Sequence, residues 1–257
     1  MFAKVKPNTR NIGQNIIYFN QVASTNQFAL ELMKQDMAEN GTVVIAEFQS
    51  NGRGQQGKSW ISEPFENLMF SIIIKNVTKQ RVDPFLMNKT ITLAMFNYLN
   101  QYIKGHSVKI KWPNDILVNR KKICGILVEN NFNGSVLNYS VVGIGLNVNQ
   151  NFESVKGINA TSLSAFSEYE IDREQIFAKL LEYIEEQIDR LEDGQYQSIA
   201  EEFDRALLGH ADQTLFDING EIVPATIIGC DGYGRLVIEH QGMEKPFVHG
   251  SIKQYIS

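Results

Sequence analysis

The chain has 257 residues, enough for one large domain with a small one beside it. Its 43% hydrophobic and 21% charged residues are ordinary for a soluble globular protein, and a formal net charge of −5 does not suggest general nucleic-acid binding. Cys124 and Cys230 lie far apart without CxxC spacing, which argues against a disulfide framework and a structural zinc site. No apolar run approaches transmembrane length and the N-terminus lacks a secretory pattern, so a cytoplasmic, reduced protein off the membrane is expected.

In chain order, Ile16 to Phe19 reads as a short strand. Ser24 with Gln27 has the form of a capping box, and Phe28, Leu32 and Met33 continue with helical spacing. Val43 to Phe48 is a β-rich run that leads into the glycine-rich stretch Asn51–Gly57, read as an irregular loop before a strand at Leu68–Ile74. Ile91, Met95, Tyr98 and Tyr102 mark a long helix beginning near Pro84. β-rich runs follow at Val108–Trp112, Ile116–Val118, Ile123–Asn130 and Ser135–Val148, with Asn133-Gly134 as a hairpin signal between the last two. Phe177, Leu180, Ile184, Ile188 and Leu191 form a second amphipathic helix. After it, Asn219-Gly220, Asp231-Gly232 and Gln241-Gly242 punctuate short β runs, as in a small barrel or sandwich. The expected architecture is α+β: residues 1–208 on a mixed, largely antiparallel sheet with flanking helices, then a small β domain over residues 209–257.

Five segments carry candidate chemistry. In Gly52-Arg53-Gly54-Gln55-Gln56-Gly57-Lys58-Ser59-Trp60, glycines let backbone N–H groups approach an anion, Arg53 and Lys58 add positive charge, and Trp60 adds an apolar wall. The spacing is neither a Walker loop nor a dinucleotide fingerprint, and the plainer reading is a basic surface loop. In Lys111-Trp112-Pro113-Asn114-Asp115, Pro113 ends a strand in a tight turn; Lys111 suits a phosphate, and Asn114 and Asp115 offer oxygen to Mg²⁺ or a nucleotide. The plainer reading there is a solvated turn. Lys122 stands seven residues beyond Asp115, where the strand Ile123–Glu129 would return it to the same site and allow it to stabilise anionic chemistry. Gly125 would let a flat ligand lie on that strand, while Cys124 reads as a packed thiol. Gly143 and Gly145 weaken a β run and signal a bulge or close ligand approach, with Asn147 able to read a base edge or ribose. Ser24, Thr25 and Asn26, together with Gln49, could hydrogen-bond a neutral polar ring, although Ser24 also suits a helix N-cap. The four histidines are scattered, and none is read as catalytic.

The order Ser-Thr-Asn, Gln, Gly-Arg-Gly…Trp, Lys-Trp-Pro-Asn-Asp, Lys-x-x-Gly-Ile-Leu-Val-Glu and Gly-x-Gly-x-Asn resembles the biotin protein ligase family, in detail over about Ile16 to Ser162. The resemblance implies a class II aminoacyl-tRNA synthetase-like catalytic fold followed by an SH3-like barrel. It implies that Ser24, Thr25, Asn26 and Gln49 hold the ureido ring of biotin. Trp60, Gly125, Gly143 and Gly145 would shape its slot, with Arg53, Gly54 and Gln55 in the loop that closes over it. Lys122 would bind the carboxylate and α-phosphate, acting in catalysis with Arg53. Lys58, Lys111, Asn114, Asp115 and Asn147 would serve ATP, with Asp115 at Mg²⁺. The implied reaction forms biotinyl-5′-adenylate and passes biotin to a lysine of a biotin carboxyl carrier domain.

Two departures qualify the resemblance. Gln55 stands where many members carry a second arginine, and only about 15 residues precede the first strand, which predicts a ligase without a DNA-binding domain. A lipoate ligase-like acyltransferase is the nearest alternative, against which the Lys-Trp-Pro-Asn-Asp segment and the C-terminal β region argue. A non-catalytic biotin or nucleotide sensor is another, but it should have lost Lys122 or Asp115. The sequence leaves monomer and homodimer both open.

Overall fold

The computed structural model describes residues 2–75, 83–153, 155 and 157–255. Seven strands form the main sheet: β1 Ile16–Val22, β2 Val43–Gln49, β3 Leu68–Lys75, β4 Val108–Lys111, β5 Asp115–Val118, β6 Lys121–Asn133 and β7 Val136–Leu146. Their spatial order is β1-β2-β3-β7-β6-β5-β4, with β1 and β2 parallel and every other neighbouring pair antiparallel.

Alternation along the strands assigns the two faces. Val43, Ile45, Ile72, Ile74, Val142 and Ile144 enter a large core with helices α2 Leu86–Tyr102 and α3 Arg173–Glu192. Val44, Ile73 and Val141 point the other way, into a smaller core with Ala29 of helix α1 Thr25–Lys34. Ser71, Gly143 and Gly145 share the parity of Ile73 and Val141, so they lie on the α1 face, where they put no large side chain of their own on the sheet centre.

Ser24 caps α1 with its hydroxyl, accepting from the Gln27 N–H at 3.4 Å. The reciprocal half of the expected capping box is replaced, because the Gln27 amide turns down the helix to Glu31. The β6–β7 hairpin forms as expected, but Asn133 pairs with Val136, so Gly134 and Ser135 make the turn. Gly134 takes the left-handed conformation there, with φ of 62°. Elements outside the sequence expectation include an N-terminal turn and a further helix. Phe2, in a 3-10 turn, is buried edge-to-face on Phe177, and helix α4 spans Tyr196–Ala206.

The C-terminal strands are β8 Gln213–Ile218, β9 Glu221–Cys230, β10 Leu236–His240, β11 Met243–Phe247 and β12 Ile252–Gln254. They form an antiparallel sheet in the order β11-β10-β9-β8-β12. Among the described residues β11 and β12 do not pair, so the sheet is open where a closed barrel was expected. Phe216, Ile227 and Ile238 from this sheet pack with Phe203 of α4 and Ile110 of β4. No helix among the described residues is long and apolar enough to cross a membrane.

Candidate active site

The glycine-bearing centre of the α1 face is the floor of a cavity of about 190 Å³. Gly125 of β6 pairs with Gly145 of β7, and Gly143 lies between Leu127 and Ser71 in the ladder. The missing side chains make room for neighbouring groups. A Cβ at Gly145 would come within 2.5 Å of the Trp60 ring, one at Gly125 within 3.1 Å of both Trp60 and Lys122, and one at Gly143 would land on the Asn26 amide. The glycines therefore shape the site through Trp60, Lys122 and Asn26.

The roof is the segment from Gly52 to Trp60, which was expected to be irregular. It instead closes on itself as a small hairpin: Arg53 and Ser59 form a β-bridge, Gly54 N–H donates to Lys58 O at 2.6 Å, and Trp60 N–H donates to Gly52 O at 3.0 Å. A 3-10 turn at Gln55–Gly57 forms its tip. Arg53, Gly54, Gln55 and Lys58 all reach the cavity. The Trp60 Nε1–H is enclosed and meets no acceptor among the described residues.

One end of the cavity is neutral and polar. Ser24, Thr25 and Asn26 at the start of α1 are buried beside Gln49, the last residue of β2. Thr25 donates to Gln49 Oε1 from its backbone N–H at 2.7 Å and from its hydroxyl at 3.1 Å. The other end is charged. Lys122 Nζ lies 2.7 Å from Asp115 Oδ1, and Lys111 and Lys58 line the same cavity. A bulge between Ile116 and Leu117 accompanies the return of Lys122 toward Asp115, as the seven-residue spacing suggested. Lys122 also stands 5.5 Å from the Trp60 ring centroid, a cation–π distance. Partial exposure of Lys122 (35%) and Asp115 (27%) leaves the pair open to a competing anion.

Asn114 lines the cavity and its amide donates to Ile126 O, which ties the Pro113 turn to β6. Asn147 is placed elsewhere. It is not on the cavity wall, and its buried amide donates to Thr161 O at 2.9 Å and Lys122 O at 3.4 Å. These two hydrogen bonds brace Asn147 against Thr161 and the base of Lys122.

His249 lines the cavity although no histidine was expected there. It arrives from the turn between β11 and β12 and meets Trp112 edge-to-face, with ring centroids 5.4 Å apart. Burial, with Lys58 and Lys111 nearby, pushes its imidazole below the ordinary pKa against the opposing pull of Asp115. Trp112 is held from a second side by its Nε1–H donating to Gly234 O at 3.0 Å. No local motif reveals His249, because only the tertiary fold brings it to residues 111–115. Leu127 was more accessible to sequence reading, since it lies two residues from Gly125 on the same strand face.

Residues 18–147 match the biotin/lipoate A/B protein ligase family. The chain belongs to this family. Among its relatives, the bifunctional ligase/repressor BirA of Bacillus subtilis (strain 168) is 35% identical over 180 residues, covering 67% of this chain and 53% of that protein. The chain thus spans about half the length of that relative. The biotin–[acetyl-CoA-carboxylase] ligase of Mycobacterium tuberculosis is 28% identical over 224 residues, covering 86% of this chain and 82% of that one. The family fold is also visible in solved structures. Biotin protein ligase from Aquifex aeolicus in complex with biotin and ATP superposes with a TM-score of 0.75 at 23% identity, over 95% of this chain and 100% of that one. At that identity the likeness concerns the mixed α/β fold with its large, mostly antiparallel sheet.

Proposed function

We propose that this chain is a biotin protein ligase, which activates biotin with ATP and transfers it to a lysine of a biotin carboxyl carrier domain. The observation that carries this reading is the placement of the Lys122–Asp115 pair, 2.7 Å apart, in the same cavity as the neutral wall of Thr25 and Gln49. Biotin has the matching polarity, with a neutral ureido ring at one end and a carboxylate at the other. The relatives' names support the same assignment.

In the first step the carboxylate oxygen of biotin bonds to the α-phosphorus of ATP and pyrophosphate departs. In the second, the acceptor ε-amine bonds to the acyl carbon, loses a proton, and AMP departs with the electron pair of the anhydride bond. Both steps move negative charge over the region where Lys122, Lys111 and the roof residues Arg53 and Lys58 concentrate positive charge, which lowers the barrier electrostatically. The roof hairpin is suited to exclude water from the anhydride.

Among the described residues there is no cluster of three potential metal ligands. Asp115 alone fits Mg²⁺ in the manner usual for nucleotide sites, with one carboxylate and the substrate phosphates sharing the ion. When bound, Mg²⁺ would neutralise phosphate charge. Asn114, with its amide donating to Ile126 O, serves the site by holding the turn that carries Asp115. Within this reading the C-terminal sheet of β8 to β12 is an opened SH3-like barrel and the protein is cytoplasmic.

The deciding assay supplies biotin, ATP, Mg²⁺ and a carrier domain to the purified chain and reads the acceptor mass. Addition of one biotinyl group is expected. Attachment of lipoate with no use of biotin would overturn the assignment in favour of the lipoate branch of the family.

A further inference from the structure

Asn26 belongs to the neutral wall, yet it does not offer its amide to the cavity. Its Nδ2 donates to Glu129 Oε2 at 2.9 Å and to Leu127 O at 3.3 Å, so both protons are used on β6. This fixes Oδ1 toward Ser71, a fully buried residue of β3. Ser71 Oγ lies 2.6 Å from Asn26 Oδ1 and 2.7 Å from Thr25 Oγ1. An amide oxygen can only accept, so the single Ser71 proton is directed to Asn26, and the one Thr25 hydroxyl proton is shared between Ser71 Oγ at 2.7 Å and Gln49 Oε1 at 3.1 Å. The Thr25 backbone N–H meanwhile holds Gln49 Oε1, which turns the donor end of that amide, Nε2, the other way. Gly143 lies beneath this chain, leaving the space that Asn26 fills.

We propose that Glu129 and Ser71 are positioning residues that set the hydrogen-bond polarity of the neutral wall, so that Gln49 presents a donor to a ring carbonyl of the substrate. Neither touches the reacting atoms. Glu129 orients Asn26, Asn26 orients Ser71, and Ser71 orients Thr25, whose backbone and side chain fix Gln49. Reversal of any amide in this chain would put two acceptors or two donors face to face. The inference rests on the biotin ligase reading for the identity of the neutral ring.

The test uses the purified full chain in biotin-dependent exchange of pyrophosphate into ATP. Glu129→Ala should raise KM for biotin about tenfold while KM for ATP stays within about twofold, because only the ring-binding wall loses its order. Glu129→Gln, which still supplies an acceptor to Asn26, should bring KM for biotin back to within about threefold of wild type. Ser71→Ala should move KM for biotin in the same direction as Glu129→Ala. Unchanged biotin KM in Glu129→Ala, or a Glu129→Gln defect as large as that of Glu129→Ala, overturns the proposal. Should Glu129→Ala fail to fold, Ser71→Ala and Gly143→Ala carry the same comparison. Wild-type protein without any biotin-dependent exchange would overturn the activity reading and this proposal with it. Wild-type exchange with unmoved variants would overturn the positioning alone.

Discussion

Lys122 Nζ and Asp115 Oδ1 stand 2.7 Å apart on adjacent antiparallel strands, joined only by the turn between β5 and β6. Each charge has the other as partner. An arriving carboxylate or phosphate competes with Asp115 for Lys122, and a cation at Asp115 would release the lysine. Lys122→Ala should therefore lower adenylate formation about 10²- to 10³-fold, roughly 3–4 kcal/mol of transition-state stabilisation. Biotin-dependent pyrophosphate exchange measures it directly, and an unchanged rate would remove Lys122 from the mechanism.

Gly145→Ala should damage the site through Trp60. The added methyl would come within 2.5 Å of the indole, so either the ring or β7 must shift, at a cost of about 1–3 kcal/mol. A fall in melting temperature and altered tryptophan fluorescence are expected. In a double-mutant cycle, Trp60→Leu should relieve part of the Gly145→Ala penalty, whereas strictly additive effects would show that the two residues are not coupled.

Glu185 ties the N-terminal segment to α3. Burial raises its pKa, but N–H donation from Arg10, Asn11 and Ile12, with the Arg10 charge, outweighs burial and leaves it below the ordinary value. A carboxyl depressed in the folded state contributes stability above its unfolded pKa, and that contribution is lost as pH falls through the folded value. Glu185→Gln should lower stability by about 1–3 kcal/mol at neutral pH and flatten the stability profile below about pH 4.5. A urea-unfolding series between neutral and acidic pH reads both effects. An equally steep acid limb in the variant would exclude Glu185 as its source.

The two thiols should be inert in the native protein. Burial pushes Cys124 far up, and it pushes Cys230 up to about 12 despite nearby Lys89. Thiolate is the reactive species, so neither should react with a thiol reagent at pH 8 until denaturant is added. Rapid native labelling of either cysteine would contradict the packing described for it.

The legible parts of the site were those set by local chemistry. Pro113 and the Gly-rich segment announced turns, and the distance from Asp115 to Lys122 matched the return of a strand. Ser24 was readable as a cap because its neighbours along the chain are also its neighbours in space. His249 was not readable, since the second sheet brings it to Trp112 across more than a hundred residues. The hydrogen bonds of the Asn147 amide to the Thr161 and Lys122 carbonyls were not readable for a related reason, since only the fold brings those carbonyls to it. In the fold, α4 escaped notice because Ile199 and Phe203 are its only large, fully buried residues. β1 was read three residues short where its exposed end turns polar.

The glycine-bearing floor has a kinetic consequence. β7 is hydrogen-bonded to β3 on one side and β6 on the other, so the amides beneath the cavity sit in the most thoroughly paired part of the molecule. Opening them to solvent requires separating central strands, whereas the roof is closed by one β-bridge and a few turn hydrogen bonds. Amide hydrogen exchange should therefore be slow at Gly143 and Gly145 whether or not ligand is present. Protection gained on adding ligand should appear in the roof, from Gly52 to Trp60, and report the lifetime of the closed state.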